Sequence, residues 1–137
     1  MAVLLIPHNR QLLDVMASVR AQLNAGANMR LFQNSFIPEP GDTLLDFNEA
    51  NFPGYARWSL ASQFGAPIKV RDGQYAIRSL EHTFTCTGAS SSIVYGWIIV
   101  VNEQVYWSYL FSDPIPMGPA VSFIVKATLE DFALSIV

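Results

Sequence analysis

The sequence predicts a mainly β protein, an antiparallel β-sandwich or barrel-like domain of about eight strands with one N-terminal α-helix. Three observations carry this. Beyond Gly26 the chain is a series of short runs rich in Val, Ile, Phe, Tyr, Trp and Thr, separated by clusters of Gly, Pro, Asn and Asp. A convincing helical period occurs once, between Asn9 and Asn24. Asp72-Gly73 and Asn102-Glu103 each stand between two apolar runs, where a tight turn makes a local antiparallel hairpin.

In the helix, Leu12, Met16, Val19 and Leu23 recur at three- and four-residue steps and form one apolar stripe. Asn9 is the expected N-cap, Arg20 lies late, where the helix dipole favours a cation, and Gly26 stands where the helix should stop. Gln11, Asp14, Ser18 and Gln22 occupy the opposite face, so the helix has one surface to cover, on its own sheet or on a neighbouring subunit. This divides the chain into an N-terminal arm and helix, 1–28, and a β domain, 29–137. The apolar start Met1 to Ile6 runs into Pro7, His8 and Asn9 without a basic segment and is too short to span a bilayer. Neither a signal peptide nor an anchor is expected there.

Met29 to Phe36 reads as the first strand, stopped by the Pro38 to Asp42 cluster. Tyr55 to Ala61 follows, with Ala56, Trp58 and Leu60 on one face. Ile68 to Arg71 and Gln74 to Arg78 flank Asp72-Gly73, and a type I′ turn there requires a positive φ at Gly73. His82, Phe84 and Cys86 alternate with three threonines. Ile93 to Val101 is almost continuously apolar, as a central strand covered on both faces should be. Its hairpin partner is Gln104 to Phe111, with Val105, Trp107, Tyr109 and Phe111 on one face. The proline-rich stretch Asp113 to Pro119 must lie outside a sheet centre. Ala120 to Ala127 is a further strand, and Leu129 to Val137 is a last strand or tail.

Charge is scarce. Apolar residues make up 51% of the 137 and charged residues 14%, against roughly 25% charged in an ordinary soluble domain. A surface so poor in charge favours a chain partly covered by protein partners. The net charge of −3 comes without any basic run, so nucleic acid is not an expected partner, and neither is a membrane. Cys86 is the single cysteine, so no internal disulfide forms and a reducing compartment suffices.

No catalytic, metal-binding or cofactor-binding residues are expected. His8 and His82 lack ligand partners at zinc-like spacing. His82 reads as an imidazole at the edge of the core and Cys86 as a small buried hydrophobe. Gly88 to Ser92 lacks the strand-turn-helix setting of a nucleophilic serine and reads as a polar turn. Asp46 and Glu49 are a possible carboxylate pair, but capping a loop whose Phe47, Phe52 and Tyr55 tuck under the sheet is the simpler role. Trp58, Trp97 and Trp107 could serve as stacking platforms for a sugar or small molecule, although tryptophans in alternating strands are more often core.

Leu31-Phe-Gln-Asn34, Pro38, Leu45-Asp-Phe-Asn-Glu-Ala-Asn-Phe52, Gly54-Tyr-Ala-Arg57 and Leu60 form a distinctive block. Ile93-Val-Tyr-Gly-Trp97 and the Phe111 to Met117 segment extend it. Together they resemble small β-rich virion proteins of tailed phages and prophages, over most of Met29 to Lys126. The resemblance implies a non-enzymatic part of a phage particle, made in the bacterial host cytoplasm and carried in the virion. A capsid decoration or cement protein is the leading expectation and a phage tail, connector or fibre component the alternative; a small-molecule- or carbohydrate-binding β-sandwich module is the competing reading, and it rests on the tryptophans instead of the resemblance. The implied partners are copies of the chain itself, as a trimer or other homo-oligomer, and a major virion protein such as capsid. The expected subunit contacts are Leu4, Leu5, Ile6, Leu12, Met16, Ile115 and Met117, from the apolar arm, the helix stripe and the proline segment.

Overall fold

The structure, a computed structural model, describes residues 8–132 of the chain. Helix α1 spans Asn9–Asn24. His8, rather than Asn9, holds the N-cap position and makes no side-chain cap. Asn9 is instead committed to a distant turn: its carbonyl oxygen accepts from the Gly73 N–H at 2.9 Å and its amide donates to Asp72 Oδ1 at 3.0 Å. At the other end Ala25 is the C-cap and Gly26 follows at φ +145°, a conformation that suits glycine. Arg20 spends its Nε–H on the Phe64 carbonyl at 3.0 Å, which ties the helix to the loop beyond the second strand.

The strands are β1 Asn28–Phe32, β2 Trp58–Ser59, β3 Ile68–Arg71, β4 Gln74–Arg78, β5 His82–Thr85, β6 Ile93–Val101, β7 Gln104–Pro116, β8 Ser122–Val125 and β9 Thr128–Phe132. They form antiparallel ladders in the orders β2-β1-β6-β7, β3-β4-β9 and β5-β8. The protein is therefore mainly β with one helix, as the sequence predicts. Among the described residues the sheets are sandwich-like and do not close into a barrel.

Helix α1 packs on β4 and β9. Its Leu12, Met16 and Leu23 belong to the same buried cluster as Met29, Leu31, Ile77, Ile99 and Leu129. The division expected at residue 28 thus has no counterpart in the packing: the stripe finds its partner surface on the chain's own strands. Burying each such side chain contributes about 1.5–3 kcal/mol, a strong reason for the helix to dock at home.

β6 occupies the centre of its sheet, between β1 and β7. Val94, Trp97, Ile99 and Val101 face the main core. Ile98 and Val100 face a second cluster with Phe32 and Phe47, which Phe36 and Leu44 help to cover. Phe32, Phe36 and Phe47 meet edge to face, with ring centroids 5.0–5.7 Å apart. This two-sided cover explains the nearly continuous apolar run from Ile93.

β1 ends four residues before Phe36 because another segment takes over its hydrogen bonds. The Gln33 N–H donates to the Asn48 carbonyl at 2.8 Å, and the Ala50 N–H to the Leu31 carbonyl at 2.8 Å. Asn34 fastens the same segment, donating to the Asp46 carbonyl at 2.9 Å and accepting from the Asn48 N–H at 2.8 Å. The strand expected over Tyr55 to Ala61 shrinks to Trp58–Ser59, with Trp58 and Leu60 buried and Ala56 exposed.

The type I′ turn expected at Asp72-Gly73 occurs at Asn102-Glu103 instead. Gly73 has φ +82° as expected, but Asp72 does not take positive φ, so the turn is not type I′. Asn102 and Glu103, at φ +50° and +59°, link Val101 to Gln104 and supply both left-handed residues of a type I′ turn. Glu103 also accepts from Arg30 Nη2 at 3.1 Å, and Asn28 Oδ1 accepts from Arg30 Nε at 2.8 Å, so a buried guanidinium is satisfied from two sides.

Candidate functional site

Asp46, Glu49, Cys86 and Ser92 are each engaged in holding the fold. Asp46 Oδ2 accepts from the Thr43 N–H at 2.7 Å, capping its own short 3-10 turn, Leu44–Asp46. Glu49 takes a paired contact from Arg57, at 3.0 Å and 2.9 Å, and the Tyr55 hydroxyl donates to it at 2.6 Å. That hydroxyl in turn accepts from the Leu31 N–H at 3.3 Å. Burial pushes the Glu49 carboxyl up, but the hydrogen bonds from Arg57 and Tyr55 outweigh it and hold the group below its ordinary value. Burial, then the neighbouring carboxylate, pushes the Tyr55 phenol far above its usual range. The two carboxylates therefore serve separate structural ends, and the aromatic-acidic block of the sequence is a clamp fastening segment 44–57 to β1.

His82 stacks on Trp58, with ring centroids 4.7 Å apart and planes 9° off parallel, and meets the Phe84 ring edge-on at 4.7 Å. Burial lowers its pKa. Cys86 is fully buried and its thiol donates to the Gly88 carbonyl at 3.1 Å. Ser92 is spent on Gln33 Oε1, at 2.6 Å. Among the described residues no group of three His, Cys, Asp or Glu is placed to hold a metal, and no helix is long and apolar enough to cross a membrane.

Of the expected subunit contacts, Leu4, Leu5 and Ile6 lie outside the described residues. Leu12 and Met16 are buried in the domain's own core, at 3% and 2% exposure. Met117 is likewise buried, and its N–H donates to the Ser92 carbonyl at 2.9 Å. Ile115 is partly buried and pairs with Val94. The expectation for these four is corrected: none is an exposed anchor. The proline segment is not a free loop, because β7 runs on through Pro114 to Pro116, which pairs with Ile93. Prolines are tolerated there because β7 is an edge strand.

Exposed apolar side chains do occur elsewhere on that strand, although the most exposed ones among the described residues, Leu45 and Ile37, lie outside it. None of the thirteen residues of β7 is buried. Tyr106, Tyr109 and Leu110 are 41%, 52% and 39% exposed. From Gln104 to Ser112 there is no charged residue. Among the described residues no backbone group pairs with the outer side of this strand. A second bulge-like irregularity lies between Val94 and Gly96, and a first between Ile99 and Val100, so the regular part of the ladder is Trp107 to Leu110. The first irregularity also sends Val105 to the second cluster while Trp107 and Phe111 pack on the main core, so the four residues expected on one face are split.

Beside this edge runs a groove of about 470 Å³, whose walls include Trp97, Trp107, Tyr109, Phe111, Ile124 and Lys126. Tyr109 stacks on Trp97 at 5.5 Å. Two of the three tryptophans proposed as stacking platforms thus meet in one place, while Trp58 is occupied by His82. The sequence signal for the edge was present in the charge-free run after Glu103; the outer position of β7 in the sheet order was not readable from it.

No protein family, characterised protein or solved structure matches this chain.

Proposed function

We propose that this chain is a structural subunit that works by contact with other protein subunits, in the manner of a phage capsid decoration or cement protein. The observation that carries the reading is the open β7 edge: thirteen residues with none buried, three exposed large apolar side chains, and no charge over Gln104 to Ser112. Soluble proteins blunt such edges with charge, proline or short length, because an unpaired strand is a template for another chain. Here only the far end, at Pro114 and Pro116, is blunted. The particle assignment, with capsid protein and further copies of the chain as partners, rests on the sequence resemblance of the 31–60 and 93–117 segments. In that setting the clamp of Glu49, Tyr55 and Arg57 keeps the loop beside β1 in one shape.

A second reading is supported by the groove beside β7, where Trp97, Trp107 and Tyr109 offer aromatic surface to a sugar or small molecule. Light scattering over a range of concentrations separates the two. The assembly reading expects mass to rise with concentration and to be indifferent to added sugars. A monomer at every concentration, with tryptophan fluorescence that saturates on adding an oligosaccharide, refutes it in favour of the binding module.

A further inference from the structure

Resting on the assembly reading, we propose that β7 pairs edge to edge and antiparallel with β7 of a second copy of this chain, about a two-fold axis at Ser108. The edge offers backbone donors and acceptors with no partner among the described residues, and another strand is the occupant that satisfies them.

The sequence of the strand favours itself as that partner. Its uncharged window is bounded by Glu103 and Asp113, and Ser108 is the midpoint. Antiparallel pairing centred there sets Trp107 opposite Tyr109, Tyr106 opposite Leu110 and Val105 opposite Phe111. Aromatic and aliphatic cross-strand pairs of this kind are favourable. A shift of the sum of paired positions by two in one direction brings Glu103 opposite Phe111, and in the other brings Asp113 opposite Val105. Only the centred register keeps both acids outside the apolar stretch. There Glu103 faces Asp113, and Glu103 is already paired with Arg30 at 3.1 Å. The centred register also uses the regular part of the strand, Trp107 to Leu110. A single strand edge is a small interface, so the dimer is reversible and concentration-dependent, strengthened when many copies are held together.

The test compares three full-length proteins and one lacking Met1 to Pro7 by sedimentation velocity, with urea unfolding as the check on folding. Ser108 is exposed, so Ser108→Lys should leave the urea midpoint unchanged. It places two ammonium groups side by side at the axis and should weaken dimerisation by about tenfold or more. Ser108→Cys supplies the one accessible thiol, since Cys86 is buried. Directly opposed residues have Cβ atoms roughly 4.5–5.5 Å apart, close enough for mild oxidation to trap a disulfide-linked dimer. Wild-type dimerisation, its loss in Ser108→Lys and crosslinking of Ser108→Cys support the proposal. Undiminished association of Ser108→Lys without crosslinking of Ser108→Cys overturns it while leaving assembly through another surface intact. Association lost on deleting Met1 to Pro7 but kept in Ser108→Lys also overturns it, and assigns the contact to the arm. A wild type that stays monomeric throughout overturns the pairing and self-assembly together.

Discussion

Gly96 is where β6, β7 and Phe32 come closest, and Gly96→Ala is therefore a severe probe of the fold. A Cβ at this position would lie 1.9 Å from the Tyr109 carbonyl oxygen and 2.8 Å from Cε1 and Cζ of Phe32. Carbon and oxygen atoms in adjacent strands approach to about 3.3 Å, so the β7 backbone would have to retreat by roughly 1.4 Å. The Phe32 ring cannot absorb the change either, because it is fully buried against Phe36 and Phe47. Overpacking of a well-filled core costs about 1–3 kcal/mol. A backbone collision belongs at or above the upper end, since the Gly96–Leu110 and Trp97–Tyr109 pairs must separate. Urea unfolding should show a loss of about 3 kcal/mol. Gly118→Ala, where an added Cβ meets nothing within 4 Å, serves as the control and should be neutral. A Gly96→Ala protein within about 0.5 kcal/mol of wild type would refute this account of the β6–β7 ladder.

Trp97→Ala should cost about 3–5 kcal/mol, because the indole is 6% exposed at the centre of the main sheet; iodide should quench it far less than free tryptophan. Asn102→Ala should destabilise by about 1 kcal/mol, since alanine tolerates the left-handed turn poorly, whereas Asn102→Gly should be neutral in the same urea titration. Glu49→Gln should lose on the order of 1 kcal/mol near neutral pH through its paired contact with Arg57, discounted for partial exposure. Because the folded-state pKa of Glu49 is lowered from 4.5, this contribution is complete above that value and disappears as pH falls through the lowered one. Wild type and Glu49→Gln should therefore converge in stability in acid; a gap that persists at low pH would rule out the carboxylate as its source.

Much of the fold was legible because it depends on local pattern. The helix bounds, β4, β6 and the hairpin at Asn102-Glu103 follow from apolar periodicity and turn chemistry, which neighbours do not alter. β1 is shorter than its apolar pattern, which continues to Phe36, because its hydrogen bonds are taken over by residues 48–50, a long-range choice invisible in the run itself. β7 is longer than its pattern for the opposite reason: Pro114 and Pro116 read as breakers, and only the position of the strand at a sheet edge makes them compatible with pairing. Leu12, Met16 and Met117 show the same difficulty on the functional side. An apolar residue that waits for a partner looks the same in sequence whether that partner is the chain's own core or another subunit.

The claim that this chain works as a particle subunit is tested most directly by recovering intact phage particles from a density gradient and measuring its abundance against the capsid protein by mass spectrometry. The account predicts many copies per particle, in a fixed ratio that survives the gradient. Finding the chain only in the soluble fraction, with none carried by the particles, would contradict it.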